Sequence, residues 1–112
     1  MVQQLDVQQL EAWCKAHAPS RALVLDVRES WEVQTASIPA EHFDVQTIAL
    51  GELVQRLDEL PRDRPIACLC HHGMRSLQAA RFLEQQGFQE VVNLQGGIDA
   101  WSLRVDSSVP RY

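Results

Sequence analysis

The residues Cys70-His71-His72-Gly73-Met74-Arg75-Ser76 carry the side chains in this chain most able to do chemistry. The short apolar run Ile66-Ala67-Cys68-Leu69 leads straight into Cys70, and a helical apolar pattern starts near Leu77. The thiol therefore falls between the end of a buried strand and the start of a helix. Backbone N–H groups of residues 71–75 can curl around a sulfur atom placed there. The helix aims its positive end, equivalent to about half a charge, at the same spot. Arg75 adds a permanently charged planar fork. Each effect lowers a thiol pKa from about 8.5 toward the ~3.5–7.5 range of reactive cysteines, so Cys70 is expected to be an ionised nucleophile. Gly73 suits a backbone position with positive φ or a close approach, and Ser76 can cap the helix or donate to the sulfur. His71, His72 and Met74 complete the loop, and the two histidines are expected to face outward, setting substrate choice. The bland alternative, a buried cysteine ahead of an ordinary strand-to-helix turn, does not account for glycine, arginine and serine at these offsets. It does suit Cys68, which lies inside the apolar run where a thiol behaves as a small hydrophobe, and Cys14.

A site of this kind needs a scaffold, and the flanking pattern describes one. Asp6 is a candidate helix N-cap with Gln9 three residues on, and Val7, Leu10 and Cys14 then share one face of a helix that ends before Pro19. Residues 22–27 form a continuous apolar run of strand length, the mark of a strand covered on both faces. Leu50, Leu53, Val54, Leu57 and Leu60 follow helical spacing up to Pro61. Residues 77–86 carry a wide apolar stripe closed by Gly87 at an αL C-cap, residues 91–94 read as a strand, and residues 98–103 as a last helix. Strands alternating with helices imply an α/β fold, an open, mostly parallel sheet with helices on both faces. Ligands bind such sheets beyond the carboxyl ends of the strands, where Cys70 lies.

Composition limits what this scaffold can serve. The chain has 112 residues, 46% apolar and 22% charged, the size of a single domain spanning 1–112, with residues 105–112 as a tail packed on it. Ten basic against fifteen acidic residues give a net charge of −5, which disfavours nucleic acid and anionic membrane as partners. No apolar run reaches the ~18–20 residues of a membrane span, and the first residues lack a secretory signal, so the cytoplasm is the expected compartment. Three cysteines in a reducing compartment argue for a reactive or buried thiol rather than disulfides. Zinc sites take ligand pairs from two places. Cys68, Cys70, His71 and His72 offer one cluster, so no metal is expected.

Three segments together resemble the rhodanese-like family: Asp26-Val27-Arg28-Glu29 after a strand, Cys-x-x-Gly-x-Arg-Ser at 70–76, and Asn93-Leu94-Gln95-Gly96-Gly97-Ile98-Asp99-Ala100-Trp101. The resemblance runs from Leu5 to about Leu103 and is nearest to the single-domain bacterial rhodaneses. It implies five mainly parallel strands and a thiosulfate sulfurtransferase with no metal or organic cofactor. In that chemistry Cys70 takes sulfane sulfur from thiosulfate or another donor as a persulfide, then passes it to a thiophilic acceptor such as cyanide or a thiol. Arg75 would meet the sulfonate of thiosulfate, and Asp26, Arg28 and Glu29 would brace a strand end. The same loop would serve a sulfur-relay carrier or partner-binding module loaded by another protein. Cysteine phosphatases also close a thiolate loop with arginine, but with five intervening residues. The four between Cys70 and Arg75 make a ring suited to one sulfur rather than a phosphate. The family's usual Gly-His-Ile segment is replaced by Ala36-Ser37-Ile38-Pro39-Ala40-Glu41, leaving the path of residues 36–49 open. Of the aromatic residues, Trp31, Trp101 and Tyr112 could form a surface, and Trp101 is expected beneath the site loop.

Overall fold

The strand read at 22–27 lies at the heart of a sheet because both of its faces are apolar. In the computed structural model, which describes residues 2–112, β2 (Ala22–Asp26) is buried at every position. It lies between β3 (Phe43–Thr47) and β4 (Ile66–Leu69), and β5 (Val91–Gln95) and β1 (Gln3–Asp6) continue the sheet beyond β4. All four ladders are parallel in the order β1-β5-β4-β2-β3. This is the open α/β architecture that the alternating pattern implied.

Strand alternation sends side chains to two cores. Ala22, Val24, Ala67, Leu69, Val92 and Leu94 pack with Val7, Leu10, Cys14 and Ile98, on the face that carries α1 (Leu10–Ala16) and α4 (Gly97–Arg104). Leu23, Leu25, Val27, Ile66, Cys68 and Cys70 pack with Ala79, Ala80 and Leu83 of α3 (Met74–Gln85) on the other face. Cys68 is core, as read, and burial pushes its thiol up to about 12. Cys14 is buried as well. No helix among the described residues is long and apolar enough to cross a membrane.

Helix boundaries follow local chemistry. Asp6 accepts from Gln8 N–H at 2.8 Å and opens a short 3₁₀ turn ahead of α1. Gly87 adopts φ 92°, and the bonds Gly87 N–H to Glu84 C=O and Phe88 N–H to Leu83 C=O close α3 as a Schellman motif. The helix expected over 50–60 is instead two separate 3₁₀ turns, Leu50–Glu52 and Leu57–Glu59. Gly51 weakens the first, Arg56 leaves helical geometry at φ −110°, and only Leu53 and Leu60 of the stripe are buried while Val54 is exposed. Residues 36–49 resolve into a connection anchored by buried Ala36 and Ile38, followed by β3. Without the family's Gly-His pair, the two apolar side chains hold this path by packing in the first core.

The Gly96-Gly97 turn brings α4 directly under residues 70–71. A Cβ built on Gly97 would stand 2.4 Å from the Cys70 carbonyl oxygen and 2.5 Å from that of His71, at φ +62°. We therefore expect Gly97→Ala to destabilise the fold by about 2–4 kcal/mol in denaturant unfolding. Gly51→Ala, with nothing within 4 Å of its added methyl, should be neutral or stabilising by up to ~1 kcal/mol.

Candidate active site

Cys70 follows the last residue of β4 and is almost fully buried, with 1% of its surface exposed. Among the described residues its sulfur accepts two hydrogen bonds, from Gly73 N–H at 3.1 Å and from the Ser76 hydroxyl at 3.3 Å. Gly73 has φ 102° and is the N-cap of α3, so the twelve-residue helix begins against the sulfur. The loop's carbonyls are held on the opposite side: Ile98 N–H donates to Cys70 C=O at 2.9 Å and Asp99 N–H to His71 C=O at 3.1 Å. In a trans peptide the N–H points opposite to the C=O, so these two bonds turn the His71 and His72 amides away from α4. Buried Asn93 fixes the Gly73 carbonyl, donating to it from Nδ2 at 3.1 Å, and also donates to Gln4 Oε1 at 2.8 Å.

Arg75 carries a partner that the role read for it did not include. Its two terminal nitrogens each lie 2.8 Å from an oxygen of Glu32, in a bidentate pair. Glu32 is buried and accepts two further bonds, from Glu29 N–H at 2.9 Å and from the Tyr112 hydroxyl at 2.8 Å. The Arg75 hydrogen bonds hold the Glu32 carboxyl down from its ordinary 4.5 to about 2. Tyr112 also accepts from Arg28 Nη1 at 3.0 Å and stacks on the His71 ring, with centroids 3.9 Å apart and planes 7° apart. His71 is sandwiched, since His72 stacks on it at 3.9 Å. Burial, reinforced by His72, pushes the His71 pKa down and favours its neutral form. Only His72 faces outward as expected, and Met74 is exposed too.

The residues read as a brace meet at the end of β2. Arg28 is fully buried and grips Asp26 through Nε at 2.9 Å and Nη2 at 2.7 Å. It also donates to the carbonyls of Ala36 and Glu32. Glu29 is the N-cap of α2 (Ser30–Thr35), which carries Glu32 toward the loop. Trp101 does not lie beneath the loop. Gly97 and Ile98 occupy that place, while Trp101 packs against the first core beside Val7, Glu11 and Phe43. Trp31 is exposed and meets Tyr112 edge-on.

Sequence reading missed Glu32, Tyr112 and Asn93. The spacing Glu29-x-x-Glu32 was an available signal, because acidic residues at N-cap and N3 mark a helix start and would have placed Glu32 one turn into α2. Nothing local could have placed Tyr112, eighty residues from its partner Glu32. The metal-ligating atoms of His71, His72 and Asp99 lie within 4.8 Å of one another. Asp99, however, is engaged by Arg111 at 2.9 Å and His71 is clasped between two rings.

Comparison with known proteins follows the same outline. A model described as "Rhodanese-like domain" matches residues 6–104. A sulfurtransferase of Allochromatium vinosum is 38% identical over 80 residues, covering 71% of each chain. The thiosulfate sulfurtransferase GlpE of Vibrio cholerae is 34% identical over 82 residues, covering 72% of this chain and 73% of that one. Among solved structures, the NAD-dependent persulfide reductase from A. fulgidus superposes with a TM-score of 0.70 at 35% identity, over 89% of this chain and 16% of that one. The chain spans only 37% and 40% of the length of two other curated relatives.

The Glu32 clamp has a pH signature. A carboxylate whose pKa is lower in the folded chain stabilises the fold fully above its ordinary value, and the contribution fades as pH falls toward the folded value. The melting temperature of the wild type should therefore fall more steeply than that of Glu32→Gln between pH 4.5 and about 2. Parallel curves in that window would exclude the coupling.

Proposed function

The chain belongs to the rhodanese-like domain family, and on that footing we propose that it moves sulfane sulfur through a persulfide on Cys70. The observation that carries the reading is the sulfur held by the Gly73 amide and the Ser76 hydroxyl at the head of α3. The Cys70 thiolate attacks the outer sulfur of a donor. A new S–S bond forms on Cys70, the donor's own S–S bond breaks, and its remainder leaves with the electron pair. With thiosulfate the leaving group is sulfite, and the enzyme persulfide is left as an anion. The head of α3, the Gly73 amide and the Ser76 hydroxyl would stabilise negative charge both before and after this step, so one cradle serves thiolate and persulfide. A thiophilic acceptor, cyanide or a thiol, then attacks the outer sulfur and regenerates the thiolate.

His72, Met74 and the rim of the loop would meet the donor, His71 would line the mouth in its neutral form, and no metal or organic cofactor enters the cycle. Asp26, Arg28 and Glu29 act at a distance by fixing α2 against the loop. A relay role, in which a partner protein delivers the sulfur, uses the same steps with a protein persulfide as donor. The structural likeness to a persulfide reductase of which this fold is one part supports keeping that route open.

Intact-mass measurement tests the reading. Wild type incubated with thiosulfate or glutathione persulfide should gain one sulfur that cyanide removes, and Cys70→Ser should gain none. Cys68→Ala should load as wild type does while losing about 1–2 kcal/mol of stability, because its thiol is core and protonated. Loading that persists in Cys70→Ser, or wild type that accepts sulfur from neither donor, overturns the proposal.

A further inference from the structure

Among the described residues, Arg75, Arg28 and Arg111 beside the cradle each already have a carboxylate. Arg75 is paired with Glu32, Arg28 with Asp26, and Arg111 with Asp99. His71 is held toward its neutral form, and His72 stands 3.9 Å from Asp99. The pairing at Arg75 is the decisive one. Glu32 is buried, uses both oxygens on the guanidinium, and is itself fixed by Glu29 N–H and the Tyr112 hydroxyl. A sulfonate approaching Arg75 must compete with an anion already in place and desolvated. Thiosulfate brings two negative charges to a mouth whose guanidinium groups, among the described residues, are already paired with carboxylates. A persulfide brings at most one negative charge, on its terminal sulfur, carries no sulfonate, and reacts as R–S–SH, so it needs no such partner.

We propose that Glu32 sets donor selectivity: by occupying Arg75 it turns the site away from thiosulfate and toward the persulfides of thiols, whether small molecules or protein cysteines. The proposal rests on the sulfur-transfer reading above and names its donor class. The step balances as Cys70–S⁻ + R–S–SH → Cys70–S–SH + R–S⁻. The bond to Cys70 forms as the donor S–S bond breaks, and R–S⁻ departs with the pair and takes up a proton from solvent or from the new persulfide. Arg75 is thus a positioning residue in the resting protein. It ties the start of α3 to α2 through Glu32, and it becomes an anion receptor only when Glu32 lets go.

The test is the ratio of loading efficiencies, kcat/KM for thiosulfate over that for glutathione persulfide, read by gain of one sulfur on Cys70. Wild type should favour the persulfide. Glu32→Gln should raise the ratio about tenfold, the effect of one charge-assisted contact released to the sulfonate. Adding Arg75→Met to Glu32→Gln should return the ratio to near the wild-type value, which a merely structural role for Glu32 would not do. Tyr112→Phe removes one of the donors holding Glu32 and should shift the ratio in the same direction by a smaller factor, roughly twofold. It decides the question if Glu32→Gln does not melt cooperatively. A ratio unmoved in a cooperatively folded Glu32→Gln, or in Tyr112→Phe where that variant must decide, overturns the inference, as does a rise that survives the loss of Arg75. Wild type that loads from neither donor is a different result, and it strikes the sulfur-transfer reading itself.

Discussion

A short loop can gather N–H groups around one atom only if its carbonyls are accepted elsewhere, because a buried peptide cannot leave either group unpaired without cost. Here the first amides of α4 take the carbonyls of Cys70 and His71, and Asn93 takes that of Gly73. This arrangement demands an approach between two backbones that no side chain allows, and Gly97 supplies it at φ +62°. The strand end, the loop and the next helix are therefore one unit. The signature at 93–101 matters to the chemistry at 70–76 because it forms the surface on which the loop rests.

The second organising feature is electrostatic. The three arginines nearest the loop, Arg28, Arg75 and Arg111, are each paired with a carboxylate. Buried Arg28 joins Asp26 at the end of β2 to the carbonyls of α2 and to Tyr112. Arg75 joins the head of α3 to Glu32 on that same short helix. Through α2, the end of β2 and the tail, the sheet and the loop share a continuous hydrogen-bonded frame. The charges thus fix geometry, tying the head of α3 and the end of β2 to one short helix.

Periodicity and punctuation made much of this molecule legible from its residues. Apolar runs at 22–27, 66–69 and 91–94 are buried on both faces and declared themselves as parallel strands, and Gly87 marked the end of α3. The loop from Cys70 to Ser76 was legible because glycine, arginine and serine at fixed offsets constrain where a sulfur and a helix start can be. β1 and β3 were not legible: they are edge strands with exposed polar positions, and their pairing comes from neighbours rather than from an apolar run of their own. The stripe at 50–60 misled because correct helical spacing does not require a continuous helix: two short turns bury Leu53 and Leu60 and pack Leu50 and Leu57 partly against the same core.

Residue types and their order thus determined the three central strands, the strand end that carries the thiol and the family to which the chain belongs. Tertiary structure alone decided what Arg75 faces, that Tyr112 covers His71, and that Trp101 lies away from the loop. The physical reason is range. Strands, caps and turns are set by neighbours a few positions apart, whereas the partner of a long, flexible charged side chain is chosen by whichever element the fold brings within about 3 Å.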